Sequence, residues 1–293
     1  MGLIDKKIID NKRTSRLFWN NTAMVVFFLC TLVGLLVLAM LIYDTLNDGL
    51  RFLRWDFITN FASARNVEVS GFYGAIIGSL WLMLVTAPVA IILSVSTALY
   101  LEEYARKGRV TDFIKINISN LAGVPSVVFG LLGLGLFVRA MSMGNSVLAA
   151  GLTLALMILP VIAVASQEAI RAVPSSVREA SIGMGATKWQ TVSRIVLPAA
   201  IPGIITGIIL ALSRAIGETA PLVVIGVPTT LLRTPSSVMD PFQAMPMQIY
   251  SWVKMPQHDF SDLAATGIIV LLAILLAMNS VAIFIRNKFS RKY

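Results

Sequence analysis

Six long stretches of the chain carry no Asp, Glu, Lys or Arg, and each is at least 19 residues long. Their apolar residues form solid runs, whereas a transmembrane barrel would need residues of alternating polarity. About 20 apolar residues are needed to cross the hydrocarbon core of a bilayer as a helix. The pattern predicts an all-α membrane protein with six transmembrane helices, at residues 17–43, 72–101, 116–138, 140–167, 199–230 and 263–285.

The distribution of basic residues between these stretches predicts the orientation. The N-terminal arm, the second and fourth loops and the C-terminal tail hold 17 of the 24 Lys and Arg residues, whereas the alternate loops hold six. Lys and Arg accumulate on the cytoplasmic side of a membrane. We therefore expect both termini to be cytoplasmic, with a basic arm at 1–16, one transmembrane domain at 17–285 and a tail at 286–293.

Composition supports this class and excludes several others. The chain is 57% apolar and 13% charged, whereas soluble domains carry about 25% charged residues. The net charge of +9 follows from the membrane topology, so no nucleic-acid partner is expected. The single histidine, His258, has no cluster of Cys or carboxylate ligands around it in the sequence, which predicts no metal site. The predicted location is the plasma (cell inner) membrane, crossed several times.

The loop at 168–198 has the most specific local pattern. Residues 176–179 and 187–190 each fit a capping box, which predicts two short helices separated by a turn at Gly185. A plain connecting loop would not need exposed apolar side chains, and a protein partner would cover them. Such side chains occur at Ile182, Met184 and Trp189.

This loop resembles the EAA loop of ABC importer permeases, E-A-A-x3-G-x9-I-x-L-P. Ser181 replaces the second Ala of that motif. The resemblance implies a coupling helix that sits in a cleft of a cytoplasmic ATPase subunit. The residues that match the motif, and that it implies for ATPase coupling, are Glu179, Ala180, Gly185, Ile195, Leu197 and Pro198. The chain has no G-x-x-x-x-G-K-[ST] motif, so we expect ATP and Mg²⁺ in a partner ATPase, no cofactor in this chain and no enzymatic activity of its own.

A charged pair lies inside the fifth apolar region. Arg214 and Glu218 are four residues apart, which would place them on one face of a helix. Charges in a bilayer are costly and usually face an interior path, and the guanidinium fork suits a tetrahedral oxyanion. With the adjacent Ser213 and Thr219, the pair is the candidate substrate path. The alternative interpretation is a self-neutralising pair that ties helices together.

The string RAIGETAPL around this pair extends the resemblance. Together with NLAGVPSVVFG at 120–130 and MQIYSW at 247–252, it resembles the PstA-type permeases of high-affinity phosphate importers, over nearly the whole chain. These belong to the binding-protein-dependent transport permeases (CysTW-like). The resemblance implies a second permease of PstC type, a dimer of ATPase subunits and an external phosphate-binding protein. Phosphate would then cross the lipid bilayer past Arg214.

Three other functions stay open at this stage. A permease for another oxyanion, such as molybdate, sulfate or phosphonate, would need the same cation and hydrogen-bond donors. An ion-driven secondary transporter could use Glu218, although no internal repeat is visible. A membrane-bound enzyme is the weakest alternative, because no nucleophile–base pair is evident.

Two further features carry structural expectations. The aromatic and methionine side chains before the last span could form an amphipathic segment on the membrane surface or a cup for the external protein. They are Phe242, Met245, Met247, Tyr250 and Trp252. The three glycines of the third span are expected to allow close helix packing. They are Gly130, Gly133 and Gly135.

Overall fold

The computed structural model describes residues 6–289, and it describes side chains for residues 16–288. Within these residues the chain is mainly helical, and its β-type pairing is limited to one bridge between Ser146 and Pro241. Five helices are long and apolar enough to cross a membrane, and a bent pair of helices makes a sixth candidate span. The predicted all-α membrane class, with up to six spans, is confirmed.

Five long helices supply most of the candidate spans. They are α1 (Lys6–Gly49), α3 (Tyr73–Leu99), α6 (Val147–Arg171), α9 (Leu197–Gly217) and α12 (His258–Phe289). The shorter helices are α2 (Trp55–Thr59), α4 (Arg109–Leu121), α5 (Ser126–Gly133), α7 (Ser175–Gly183), α8 (Lys188–Thr191), α10 (Ala220–Ile225) and α11 (Met245–Val253). Three helices continue into short π-helical segments. The segment Tyr100–Tyr104 extends α3, Leu134–Ala140 extends α5, and Val192–Val196 joins α8 to α9.

Helix α6 is the centre of the bundle. Two thirds of its most apolar stretch is buried. It packs between α3, which runs parallel to it, and α9, which runs antiparallel to it. Ser94 donates a hydrogen bond to the carbonyl of Leu159 (2.9 Å), which fixes the register of α3 on α6. On the other side, a Cβ added to Gly203 would lie 2.7 Å from the Cβ of Ala169, so α6 and α9 are in very close contact.

The start of α6 is anchored by the loop that precedes α11. The Ser146 hydroxyl caps the helix, and the backbone N–H groups of Val147 and Leu148 donate to carbonyls of that loop. The loop is itself ordered by Asp240, whose carboxylate accepts hydrogen bonds from the hydroxyl and N–H of Ser236. These hydrogen bonds hold the pKa of Asp240 below its ordinary value, because they favour the charged carboxylate.

The third span differs from the single helix predicted at 116–138. The chain forms two helices there, α4 and the extended α5, which meet at an angle of 101°. Pro125 stands directly before α5, where it disfavours helical backbone in the preceding residue and breaks the run. Every residue of α4 is at least partly exposed, including Val110 and Phe113. The absence of charged residues at 116–138 could not reveal this bend.

The fifth span also differs from the continuous helix predicted at 199–230. The helix runs from Lys188 to Gly217, and the backbone of Glu218 is then extended (ψ 122°). The chain resumes as the short α10, which has Pro221 in its first turn. Proline is tolerated at that position but cannot continue a preceding helix. The span is therefore interrupted beside the charged pair.

The aromatic segment before α12 is part of the core. Phe242, Met245, Met247 and Trp252 are all buried, and Tyr250 is exposed. The Trp252 ring stacks on Phe72 with 5.5 Å between centroids. Both sequence-based interpretations, a surface-lying segment and a cup for another protein, are wrong for these four side chains, because they serve the packing of this chain.

The packing role expected for the glycines is confirmed at two of three positions. A side chain at Gly130 would meet the backbone of Pro221 at 2.8 Å, and one at Gly133 would overlap Thr153. Gly135 faces open space among the described residues, so the expectation is wrong there.

We predict that Gly130→Val destabilises the protein by about 1–3 kcal/mol, the usual cost of overpacking, because α5 would be forced away from α10. Gly135→Val is the matched control on the same span and should change stability little. Thermal unfolding of the two purified variants in detergent measures this. Equal melting temperatures would contradict the packing assignment.

Candidate functional site

The charged pair sits at the interruption between α9 and α10. Arg214 lies in the last turn of α9, and its Nε is 3.7 Å from Oε2 of Glu218. The Arg214 side chain is 52% exposed and that of Glu218 is 18% exposed. Glu218 lies just beyond the helix, so the prediction that both residues share a helical face is wrong. Their contact comes from the turn at the helix end.

The pair uses little of the binding capacity of the guanidinium. A separation of 3.7 Å is too long for a hydrogen bond, and Arg214 donates none to any other residue whose side chain the structure describes. Its two terminal nitrogens can therefore donate to another group. A half-exposed arginine inside a membrane faces a polar path or a protein partner rather than lipid. The contact with Glu218 therefore leaves both terminal nitrogens unbonded to the side chains that the structure describes.

The register of the helices gives the depth of Arg214. Gly203 and Gly207 of α9 pack against Ala169 and Ala165 of α6, respectively. Continuing this antiparallel register by two turns places Arg214 level with the middle of α6.

Ser213 and Thr219 flank the pair in different ways. The Ser213 hydroxyl is 2.6 Å from Oδ1 of Asn279 on α12 and 2.7 Å from the carbonyl of Ile209. Ser213 therefore holds α9 against α12, beside Arg214. Thr219 lies between the two helices and precedes α10. The structure thus brings Arg214 and Glu218 together, and directs Ser213 toward a neighbouring helix.

Asn279 was not identified from the sequence. It is the only Asn or Gln in the uncharged stretch 263–285, and an amide in an apolar span usually bonds to another helix. A second contact lies seven residues before Ser213 on α9 and seven residues after Asn279 on α12. There, Nη1 of Arg286 is 3.4 Å from the hydroxyl of Thr206. Two polar contacts of equal spacing therefore link α9 to α12.

The loop between α6 and α9 forms the expected pair of short helices. Thr187 and Gln190 make the predicted capping box, and Gly185 has the left-handed conformation (φ +87°) expected at the turn. The other predicted capping box is wrong. Helix α7 begins at Ser175 directly after Pro174, so Ser176 lies within the first turn and no side chain caps it.

The residues of the EAA-like motif fall into two groups. Glu179, Ala180 and Gly185 are exposed on the loop. Ile195, Leu197 and Pro198 are only partly exposed, and Leu197 packs against the core. The three apolar side chains expected to be exposed are so, and Met184 is 82% exposed. The loop therefore offers a mixed polar and apolar surface to a partner. Ile195, Leu197 and Pro198 instead lie where α9 begins and help to pack it.

Ser181, which departs from the motif, has a structural partner. Its hydroxyl is 2.9 Å from that of Thr191, and both residues are buried. This hydrogen bond joins α7 to α8. The hydroxyl thus replaces the methyl of alanine with a specific bond between the two loop helices.

We predict that Ser181→Ala lowers stability by about 1–3 kcal/mol, because the buried Thr191 hydroxyl would lose its side-chain partner. The double variant with Thr191→Val removes both hydroxyls and should recover part of the loss. Unfolding of the purified single and double variants measures the coupling. Strictly additive effects would contradict a bond between these residues.

A family model matches most of this architecture. Residues 90–293 match the binding-protein-dependent transport system inner membrane component. The chain belongs to this family. Membership and the apolar helices together confirm the predicted location in the inner membrane.

Similar proteins cover nearly the whole chain. It is 34% identical over 288 residues to the phosphate transport system permease protein PstA 1 of Mycobacterium tuberculosis, covering 93% of this chain and 89% of that one. It is 29% identical to the PstA protein of Yersinia pestis, covering 92% and 91%. These relatives are permease proteins rather than enzymes.

A solved structure shows the same fold. The chain of a bacterial alginate ABC transporter, in complex with an alginate-bound periplasmic protein, superposes with a TM-score of 0.62 at 16% identity. The match covers 95% of this chain and 96% of that one.

Proposed function

We propose that this protein is the permease subunit of an ATP-driven phosphate importer. The observation that carries the proposal is the half-exposed Arg214 at mid-depth, whose guanidinium is not used by hydrogen bonds to the described side chains. The names of the PstA relatives support phosphate as the substrate. A phosphate oxyanion can accept two parallel N–H bonds from one guanidinium.

The partners follow from the exposed surfaces and the family. A second permease of PstC type would complete the path on the exposed side of Arg214. Two ATPase subunits, with ATP and Mg²⁺, would dock on the coupling loops, and an external phosphate-binding protein would deliver the substrate. The 17-to-6 distribution of basic residues supports a cytoplasmic location for this loop and for both termini. This chain would need no cofactor.

The continuous helix from α8 to α9 suggests how the two sites communicate. The loop is joined through residues 188–217 directly to Arg214, without a break. When ATP binds to the partner ATPase, movement of that subunit would displace the loop. The continuous helix at 188–217 would then shift and move Arg214 relative to Glu218. Glu218 would orient the guanidinium when the path is empty, and phosphate would compete with it for those donors.

We predict that Arg214→Gln abolishes phosphate uptake and leaves assembly of the complex intact, because Gln keeps the packing but loses the charge. The measurement is uptake of labelled phosphate in cells lacking the gene and complemented with either form. Arg139→Gln, an exposed arginine at the end of the extended α5, is the control and should transport normally.

Competition identifies the substrate. If excess sulfate, molybdate and phosphonate do not reduce the uptake of labelled phosphate, the proposal is supported. If deletion of the gene leaves phosphate uptake unaltered, the substrate is a different oxyanion, and the same strains would be tested with each. Normal uptake by Arg214→Gln would overturn the role of this residue.

A second prediction concerns the loop turn. Gly185→Ala puts a side chain on left-handed backbone, which costs about 1–2 kcal/mol, and should reduce the amount of ATPase subunit that co-purifies. Gly183→Ala is the matched control, since nothing lies near its added methyl. Equal recovery of the ATPase with both variants would show that the turn does not shape the docking surface.

A further inference from the structure

Arg178 of the coupling helix α7 is bound to three groups outside that helix. Its Nε donates to Oε1 of Glu103 (3.1 Å), Nη1 to the carbonyl of Val173 (2.6 Å) and Nη2 to the carbonyl of Ile170 (2.7 Å). The Arg178 side chain is 23% exposed and that of Glu103 is 11% exposed. All three nitrogens of the guanidinium are used, in contrast to those of Arg214.

The three acceptors lie at or just beyond the ends of two membrane-crossing helices. Glu103 lies in the π-helical extension of α3, Ile170 lies in the last turn of α6, and Val173 follows two residues after that helix ends. Carbonyls at the end of a helix have no partner within it and attract cations. Arg178 therefore closes the end of α6 and ties α7 to α3 at the same point.

Neighbouring charges hold the same helices together without involving the loop. Glu102 binds Lys115 of α4 (2.8 Å) and Arg171 at the end of α6 (2.9 Å). Among the described side chains of α7, only Arg178 hydrogen-bonds to α3 or α6. The other α7 side chain with a hydrogen bond, Ser181, reaches Thr191 of α8.

We propose that Arg178 is a positioning residue that transmits movement of the coupling loop directly to α3 and α6. This rests on the proposed function, in which an ATPase subunit moves the loop. Without Arg178 the loop would pull on the bundle mainly through the covalent connections of α6 and α8. With it, α7 and the ends of α3 and α6 move as one body.

The packing of α3 on α6 extends this connection through the bundle. Ser94 bonds to the carbonyl of Leu159, and the Thr86 hydroxyl lies 3.2 Å from the carbonyl of Gly151. The two helices therefore cannot slide independently. Lysine could not replace Arg178, because its single ammonium cannot span one carboxylate and two separate carbonyls in a fixed plane.

The test measures coupling rather than stability. The complete complex is reconstituted in liposomes with the external binding protein, and phosphate uptake and ATP hydrolysis are measured in the same preparation. We expect Arg178→Lys and Glu103→Gln to assemble and to hydrolyse ATP within about twofold of wild type. Their uptake per ATP should fall at least tenfold, and the double variant should be no worse than the worse single variant.

Arg171→Gln is the matched control. This arginine lies on the same surface and binds Glu102, but it makes no bond to α7. It should keep the wild-type ratio of uptake to hydrolysis. If Arg178→Lys fails to assemble, Glu103→Gln decides, since it leaves both carbonyl bonds in place.

Several outcomes would overturn the proposal. If Arg178→Lys and Glu103→Gln both keep the wild-type uptake per ATP, the bonds of Arg178 do not transmit movement of the loop. Uptake and hydrolysis falling in parallel would indicate a purely structural role. An equal fall in uptake per ATP in Arg171→Gln would show that the charge of this surface matters, rather than the bonds made by Arg178. A wild-type complex that hydrolyses ATP but takes up no phosphate would instead refute the proposed function, and the Arg178 proposal with it.

Discussion

The close packing of α6 between α3 and α9 is the constraint on which the rest of the structure depends. Lipid gives helices no hydrophobic reason to associate, so contacts of small residues and hydrogen bonds between helices must hold a bundle together. Gly203 and Gly207 let α9 approach α6, and Ser94 fixes α3 on the opposite side. This packing sets the depth of Arg214. It also places the ends of α3 and α6 side by side, where Arg178 can bind both.

The regular helices are interrupted at two places, and one of them lies beside the charged pair. The chain leaves helical geometry at Glu218, next to the half-exposed Arg214, and turns through 101° between α4 and α5. Irregular backbone is tolerated in a membrane only where it is buried in protein or lines a polar cavity. The interruption at Glu218 is therefore consistent with a path for an anion, although interruption alone would not identify the cargo.

The two arginines illustrate how one side chain can serve opposite purposes. Every guanidinium nitrogen of Arg178 binds a group of this chain, which suits a fixed mechanical tie. Arg214 contacts one carboxylate at long range, which suits exchange between an internal partner and a ligand. The fold is shared with an alginate transporter at 16% identity, so the fold cannot specify cargo. Individual side chains along the path must do so.

The sequence by itself determined the class, the number of candidate spans and the pair of short helices between α6 and α9, because solid apolar runs and local capping patterns need no distant partner. It also identified Arg214, since a charge within a span is conspicuous. Only the tertiary structure decided what depends on neighbours far along the chain. Lack of charge could not show that the third span bends by 101° between α4 and α5, nor that Trp252 packs on Phe72. The partners of Arg178 and Ser213, at Glu103 and Asn279, lie more than 60 residues away, so no local pattern could predict them.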